Sequence, residues 1–170
     1  KRTITVGREI SVGEIVRKAL KVRPFISGVT FGGGEPTLQI AELLEVLRLL
    51  REAKIHTAME SNASTAGFRD AAMMVDLLYS DLKTLDPERF RRRISPDIAL
   101  LERCKDNLRF AARHQPFFTV RIPVVSGLND DLPAQQKLHE FLLELLSFRP
   151  QGQLHVELLR QHHLAEPKYM

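Results

Sequence analysis

Apolar positions along this chain come in two kinds of pattern, and they alternate. Val12, Ile15, Val16, Ala19 and Leu20 recur at helical spacing behind Ser11 and Glu14, which have the form of a capping box. That predicts a helix with one buried face, ended by Pro24. Val29 to Phe31 then reads as a strand. Pro36 opens a second helix, whose stripe is Ile40, Leu43, Leu44, Leu47 and Leu50. A strand over Ile55 to Met59, a helix over about 65–74 and a strand over Val75 to Leu82 follow. Asp86-Pro87 and Ser95-Pro96 each start a helix, the second running to about His114. Its expected buried side is Ile98, Leu101, Cys104, Leu108 and Ala111. Phe117 to Val125 is the fourth strand. Leu138, Phe141, Leu142, Leu145 and Leu146 mark another helix, and Leu154 to Leu159 the fifth strand. Lys1 to Arg8 reads as a loop or an edge strand.

Strict strand–helix alternation implies an α/β fold, a parallel sheet with helices outside. The strands are short and apolar, as expected for burial on both faces. Five units are too few for a closed eight-stranded barrel. A partial, open barrel and a doubly wound sheet both suit. No repeat or linker interrupts the chain, so residues 1–170 read as a single domain.

Polar residues gather where the strands end. Glu35, Glu60, Asn62, Asp81, Lys83, Asn129 and His162 all sit at or just past predicted strand C-termini. In a parallel sheet those ends converge on one rim, where ligands bind. The first of them follows Gly32-Gly33-Gly34, a stretch that lets another group approach the backbone. A plain strand-to-helix turn would read the same way. No Gly-Lys-Ser/Thr follows the glycines, and their spacing is wrong for a dinucleotide fingerprint. Anions (Glu60, Asp81) beside a cation (Lys83) suit a zwitterion such as an amino acid head group. Asp81 and Lys83 could equally be a structural ion pair.

Composition narrows this only a little. A net charge of +4 does not imply nucleic acid. Arg91-Arg92-Arg93 is read as a solvated helix end. No apolar stretch is long enough for a membrane span. The single cysteine, Cys104, excludes an internal disulfide and fits a cytoplasmic location; it is expected to be a small core residue. His155, His162 and His163 are not expected to form a metal site. The chain starts at Lys1 rather than Met and is expected to be a piece of a longer protein.

Four motifs, in order, carry a resemblance. Val29-Thr30-Phe31-Gly32-Gly33-Gly34-Glu35-Pro36-Thr37-Leu38-Gln39 resembles the Gly-Gly-Glu motif of radical S-adenosylmethionine enzymes. Tyr79-Ser80-Asp81-Leu82-Lys83 resembles the Asp-Leu-Lys strand of the branch that activates glycyl radical enzymes, such as pyruvate formate-lyase activating enzyme. Arg121 to Asp130 is similar to that group's next strand and loop. Val156-Glu157-Leu158-Leu159, with His162 three residues on, is similar to its last-strand motif.

The resemblance implies a partial (β/α)6 TIM-like barrel, with this chain holding strands two to six and its first strand and cluster loop missing. It implies S-adenosylmethionine and a 4Fe-4S cluster as cofactors. Gly33, Gly34 and Glu35 would receive the ligand's amino end. Glu60 and Asp81 would bind its polar groups and a monovalent cation, with Ser61, Asn62 and Tyr79 nearby. Lys83 and His162 would meet its carboxylate or ribose side, and Val124 and Leu159 would wall the adenine. The intact enzyme would cleave S-adenosylmethionine reductively to a 5′-deoxyadenosyl radical and take a hydrogen from a glycine of a partner glycyl radical enzyme. Flavodoxin or ferredoxin would donate the electron; neither nucleic acid nor membrane is a partner. Three departures stand out. Glu60 occupies a position where activases often have Asp, Ser95-Pro96 replaces a common Thr-Gly, and no Cys-x3-Cys-x2-Cys loop is present. The chain alone is therefore expected to be inactive, by truncation rather than degeneration. Another radical S-adenosylmethionine enzyme acting on a small molecule, and a non-catalytic metabolite-binding domain, are the alternatives.

Overall fold

Ser11 starts the first helix as its spacing predicts, its hydroxyl accepting from the Glu14 amide at 3.2 Å. The reciprocal half of the capping box is not made, because Glu14 turns instead to Arg8 and Lys18. The computed structural model describes residues 7–149 and 153–160. Readings that fall on 1–6, His162 and His163 lie outside the described residues. Helices are α1 Val12–Val22, α2 Ile40–Glu52, α3 Phe68–Ala72, α4 Pro87–Arg93, α5 Ala99–His114 and α6 Leu132–Ser147. Strands are β1 Gly28–Phe31, β2 His56–Ser61, β3 Leu77–Asp81, β4 Phe118–Val124 and β5 His155–Arg160. Among the described helices none is long and apolar enough to cross a membrane.

All five strands are parallel, in the order β1-β2-β3-β4-β5. That order chooses between the two architectures. Right-handed crossovers that never reverse direction put every helix on the same face, whereas a doubly wound sheet needs a reversal. The chain is therefore the wall of a partial TIM-like barrel. Met59, Leu78, Phe118, Val120 and Ile122 point outward and pack with Leu47, Leu50, Phe68, Leu108 and Leu145 from the helices; each is 4% exposed or less.

The expectation of strands buried on both faces is corrected by the inner face. Strand alternation places Thr30, Glu60, Tyr79, Asp81, Arg121 and Glu157 there, all of them polar and none fully buried. The apolar reading of the strands came mainly from the outward row, with Ala58, Leu77 and Leu159 apolar members of the inner one. At either side the sheet ends in a strand with one neighbour among the described residues. β1 is one edge and β5 the other, the latter with all six residues exposed.

Two helix boundaries differ from the apolar spacing. α3 is shorter than 65–74 because the chain before it is used as a loop, held by the Asn107 amide donating to Ala63 O and Thr65 O at 2.9 and 3.0 Å. α6 starts well before Leu138 because capping decides it: Asp131 accepts from the Ala134 amide at 3.0 Å, with a proline in the first turn.

Arg149 closes the base of the sheet. Its guanidinium donates to Ala112 O, Gln115 O, Pro116 O and Gln153 O, tying the end of α5 to the approach to β5. Charged donors to carbonyls are the stronger kind of hydrogen bond. Arg149→Ala is expected to lower unfolding free energy by about 2 kcal/mol. A urea titration reads this as a lower midpoint with an unchanged slope; an unchanged midpoint would mean that water replaces the arginine freely.

Candidate functional site

The glycine stretch leaves β1 and crosses toward β2. At Gly32 the backbone passes close to Glu60: a Cβ there would lie 3.2 Å from Glu60 Oε2, so the carboxylate would have to give by a few tenths of an ångström. Gly33 has φ +108°, a conformation closed to other residues at low cost. A Cβ on Gly33 or Gly34 would meet nothing within 4 Å, so their backbone is open to a visitor.

Glu35 is not open. Its Oε1 accepts from the Thr37 amide at 3.2 Å, from the Thr37 hydroxyl and from Ser61 Oγ at 2.8 Å; its Oε2 accepts from the Asn62 amide at 2.8 Å. The carboxylate is a bracket that fastens the glycine loop to the end of β2. The residue that the resemblance sets with Gly33 and Gly34 at the ligand's amino end thus also holds the loop in place. Ser61 is likewise a structural partner. It is buried on the helix side, and its hydroxyl also accepts from the Ala63 amide at 3.1 Å.

Glu60 and Asp81 share the inner face, through the registers Glu60↔Tyr79 and Asp81↔Arg121, and Lys83 follows two residues past the end of β3. Asp81 and Lys83 lie 3.6 Å apart. Burial pushes the Asp81 carboxyl above its ordinary range, against the pull of the Lys83 and Arg121 charges. Asp81, Lys83 and Asn62 line a cavity of about 320 Å³ whose far wall is Phe90, Leu101 and Cys104. Glu60 bonds to Arg121 Nη1 at 2.8 Å. Each of these two carboxylates thus has a cation of the protein beside it, Lys83 at Asp81 and Arg121 at Glu60. No group of three or more His, Cys, Asp or Glu among the described residues could hold a metal ion.

Val124 and Leu159 do not face one ring together. Leu159 pairs with Pro123 and Val124 with Arg160, so the two fall on opposite faces of the sheet.

Arg121 is the residue that the strand-end reading passed over. It donates from Nη1 to Glu60 and from Nε to Glu157 at 3.0 Å, and its guanidinium lies 4.0 Å from the centroid of the Tyr79 ring. The signal was present: one arginine inside an otherwise apolar strand, between Val120 and Ile122. A charge there must face something polar.

Cys104 is half-buried at the cavity wall rather than in the core, its thiol donating to Asn62 O at 3.3 Å. Burial pushes that thiol up to about 11. Alkylation by N-ethylmaleimide at neutral pH is expected to be roughly tenfold or more slower in the folded chain than in urea. Equal rates would place the thiol in solvent. The sign for stability follows. Folded and unfolded chains hold the proton equally below about pH 8.5, and the native state loses stability as pH rises from there toward 11.

Comparison with known proteins places this geometry. The model of the Radical SAM superfamily matches residues 2–134. The chain is 32% identical over 146 residues to the 4-hydroxyphenylacetate decarboxylase activating enzyme of Clostridioides difficile (strain CD196), covering 84% of this chain and 44% of that protein. It is 30% identical over 178 residues to the isethionate sulfite-lyase activating enzyme of Oleidesulfovibrio alaskensis, covering 99% and 54%. The crystal structure of a domain of pyruvate-formate lyase-activating enzyme from Bacteroides vulgatus ATCC 8482 superposes with a TM-score of 0.62 at 27% identity, covering 82% of this chain and 83% of that one. The chain spans about half the length of those two curated relatives. Its open glycine backbone, polar inner face and one-sided parallel sheet are those of a family that works with S-adenosylmethionine and a 4Fe-4S cluster: the chain belongs to the radical SAM superfamily.

Proposed function

We propose that this chain forms the S-adenosylmethionine shelf of an activating enzyme for a glycyl radical enzyme. The observation that carries the reading is the unobstructed Gly33–Gly34 backbone, which follows β1 at the same end of the parallel sheet where β3 ends in Asp81 and leads on to Lys83. The residues present fit that ligand. Free backbone groups on the glycines offer hydrogen bonds to its amino acid end, Asp81 can face its ammonium, and Lys83 can face its carboxylate. An ammonium beside Asp81 would draw its carboxyl back down, so binding near neutral pH favours the ionised form. The open face excludes little water by itself, and its residues orient the ligand rather than transform it.

The described residues do not fit the cluster. Several thiolates are needed, and the one cysteine is a protonated thiol on α5. Cysteines outside this chain would have to hold the cluster, whose chemistry would be to supply the one electron that cleaves S-adenosylmethionine to a 5′-deoxyadenosyl radical. A glycine of the partner, an enzyme of the pyruvate formate-lyase kind, then gives up its hydrogen. The relatives named as activating enzymes favour this over a small-molecule substrate.

The test is made on the longest natural protein that contains this chain, reconstituted with iron and sulfide under reduction. S-adenosylmethionine should be consumed to 5′-deoxyadenosine, and a glycyl radical signal should appear by electron paramagnetic resonance only when a glycyl radical enzyme is added. Turnover without any protein partner would assign a small-molecule reaction instead. Binding without cleavage would leave a metabolite-binding domain.

A further inference from the structure

Lys83 is a long, flexible side chain, half-exposed, whose nearest anion is Asp81 at 3.6 Å. Among the described residues its ammonium has that one loose ion pair, so its place depends on how the backbone leaves β3. That backbone is held from across the rim by Asn129, which is 2% exposed. Asn129 Nδ2 donates to Lys83 O and to Pro123 O, both at 2.8 Å, while its Oδ1 accepts from the Val125 amide at 2.9 Å. One planar amide thus joins the exits of β3 and β4. Both of its N–H groups are used on two different strands. Aspartate cannot substitute, because a carboxylate would face two carbonyl oxygens. Alanine would leave Lys83 O, Pro123 O and the Val125 amide without this partner.

We infer that Asn129 is a positioning residue for the ligand site: by holding the Lys83 carbonyl, it sets where the Lys83 ammonium meets the acidic end of S-adenosylmethionine. This rests on the functional reading above. The polar loop after β4 then has a purpose beyond connection. Its anchor is Asn129, while Arg89 holds the neighbouring Leu128 O at 3.1 Å and pairs with Asp131.

A double-mutant cycle tests it on the same full-length protein, by equilibrium binding of S-adenosylmethionine with thermal unfolding measured alongside. Asn129→Ala and Asn129→Ser should each weaken binding about tenfold when Lys83 is present, and less than about twofold in a Lys83→Met background. The loss of thermal stability should be the same in both backgrounds. Equal loss of affinity in both, or none in the first, overturns the proposal, because Asn129 would then act on the fold alone or not at all. Should Lys83→Met itself bind normally, the ligand does not use Lys83; the placement in the functional reading fails, and this inference with it. Where Asn129→Ala does not fold, Asn129→Ser keeps a hydroxyl donor for one carbonyl and carries the comparison.

Discussion

Glu35→Ala is expected to remove about 3 kcal/mol of unfolding free energy and nearly all affinity for S-adenosylmethionine. Glu35 gathers four donors, one from the last residue of β2 and one from the residue after it. Without the carboxylate, the Asn62 amide and the buried Ser61 hydroxyl lose their partner, and each orphaned donor costs about 1–3 kcal/mol. The loop then has only its strand ends to fix it, and Gly33 returns to the freedom that makes it usable there. Glu35→Gln should do less harm, since one amide oxygen can still accept from part of the set. Chemical denaturation and ligand titration check both. An alanine variant as stable as the parent would mean that the loop is held by something else.

That role was half legible in the sequence. The Gly-Gly-Gly-Glu stretch marked the place, although its glycines alone would equally suit a plain turn. The direction of the Glu35 side chain was not legible. It depends on Ser61 and Asn62, 26 and 27 residues away, and on β1 and β2 being neighbours. The strand and helix order was readable for the reverse reason, being written in local spacing. The short α3 was missed because Asn107, from a different helix, takes over the carbonyls that a longer helix would have used. Val124 and Leu159 illustrate a register error. Each was correctly placed in a strand, but facing is set by pairing, and one residue of offset turns a side chain to the other side.

Arg121→Met is expected to show itself as a change in the pH dependence of stability. The substitution keeps much of the stem over Tyr79 but leaves Glu60, Glu157 and Asp81 without their shared cation. The Asp81 carboxyl, already raised by burial, should rise further. A carboxyl whose folded value lies above its unfolded one favours the native state while protonated, and that support is lost as pH climbs through the folded value. The variant should therefore match the parent near pH 3 and fall behind it by about 1 kcal/mol at pH 7, a figure kept small because Glu60 and Glu157 are half-exposed to screening solvent. An equal deficit at both pH values would make Arg121 a packing residue only. Salt should narrow the gap at pH 7 for the same reason.

The central claim is that the inner face of the sheet, at the strand C-termini, is where S-adenosylmethionine lies. A crystal structure of the full-length protein grown with S-adenosylmethionine addresses this most directly. We expect the ligand's amino acid end within hydrogen-bonding distance of the Gly33–Gly34 backbone and in reach of Asp81 and Lys83. Density for the ligand on the helix-covered side, or at the β5 edge away from the glycine loop, would contradict the account.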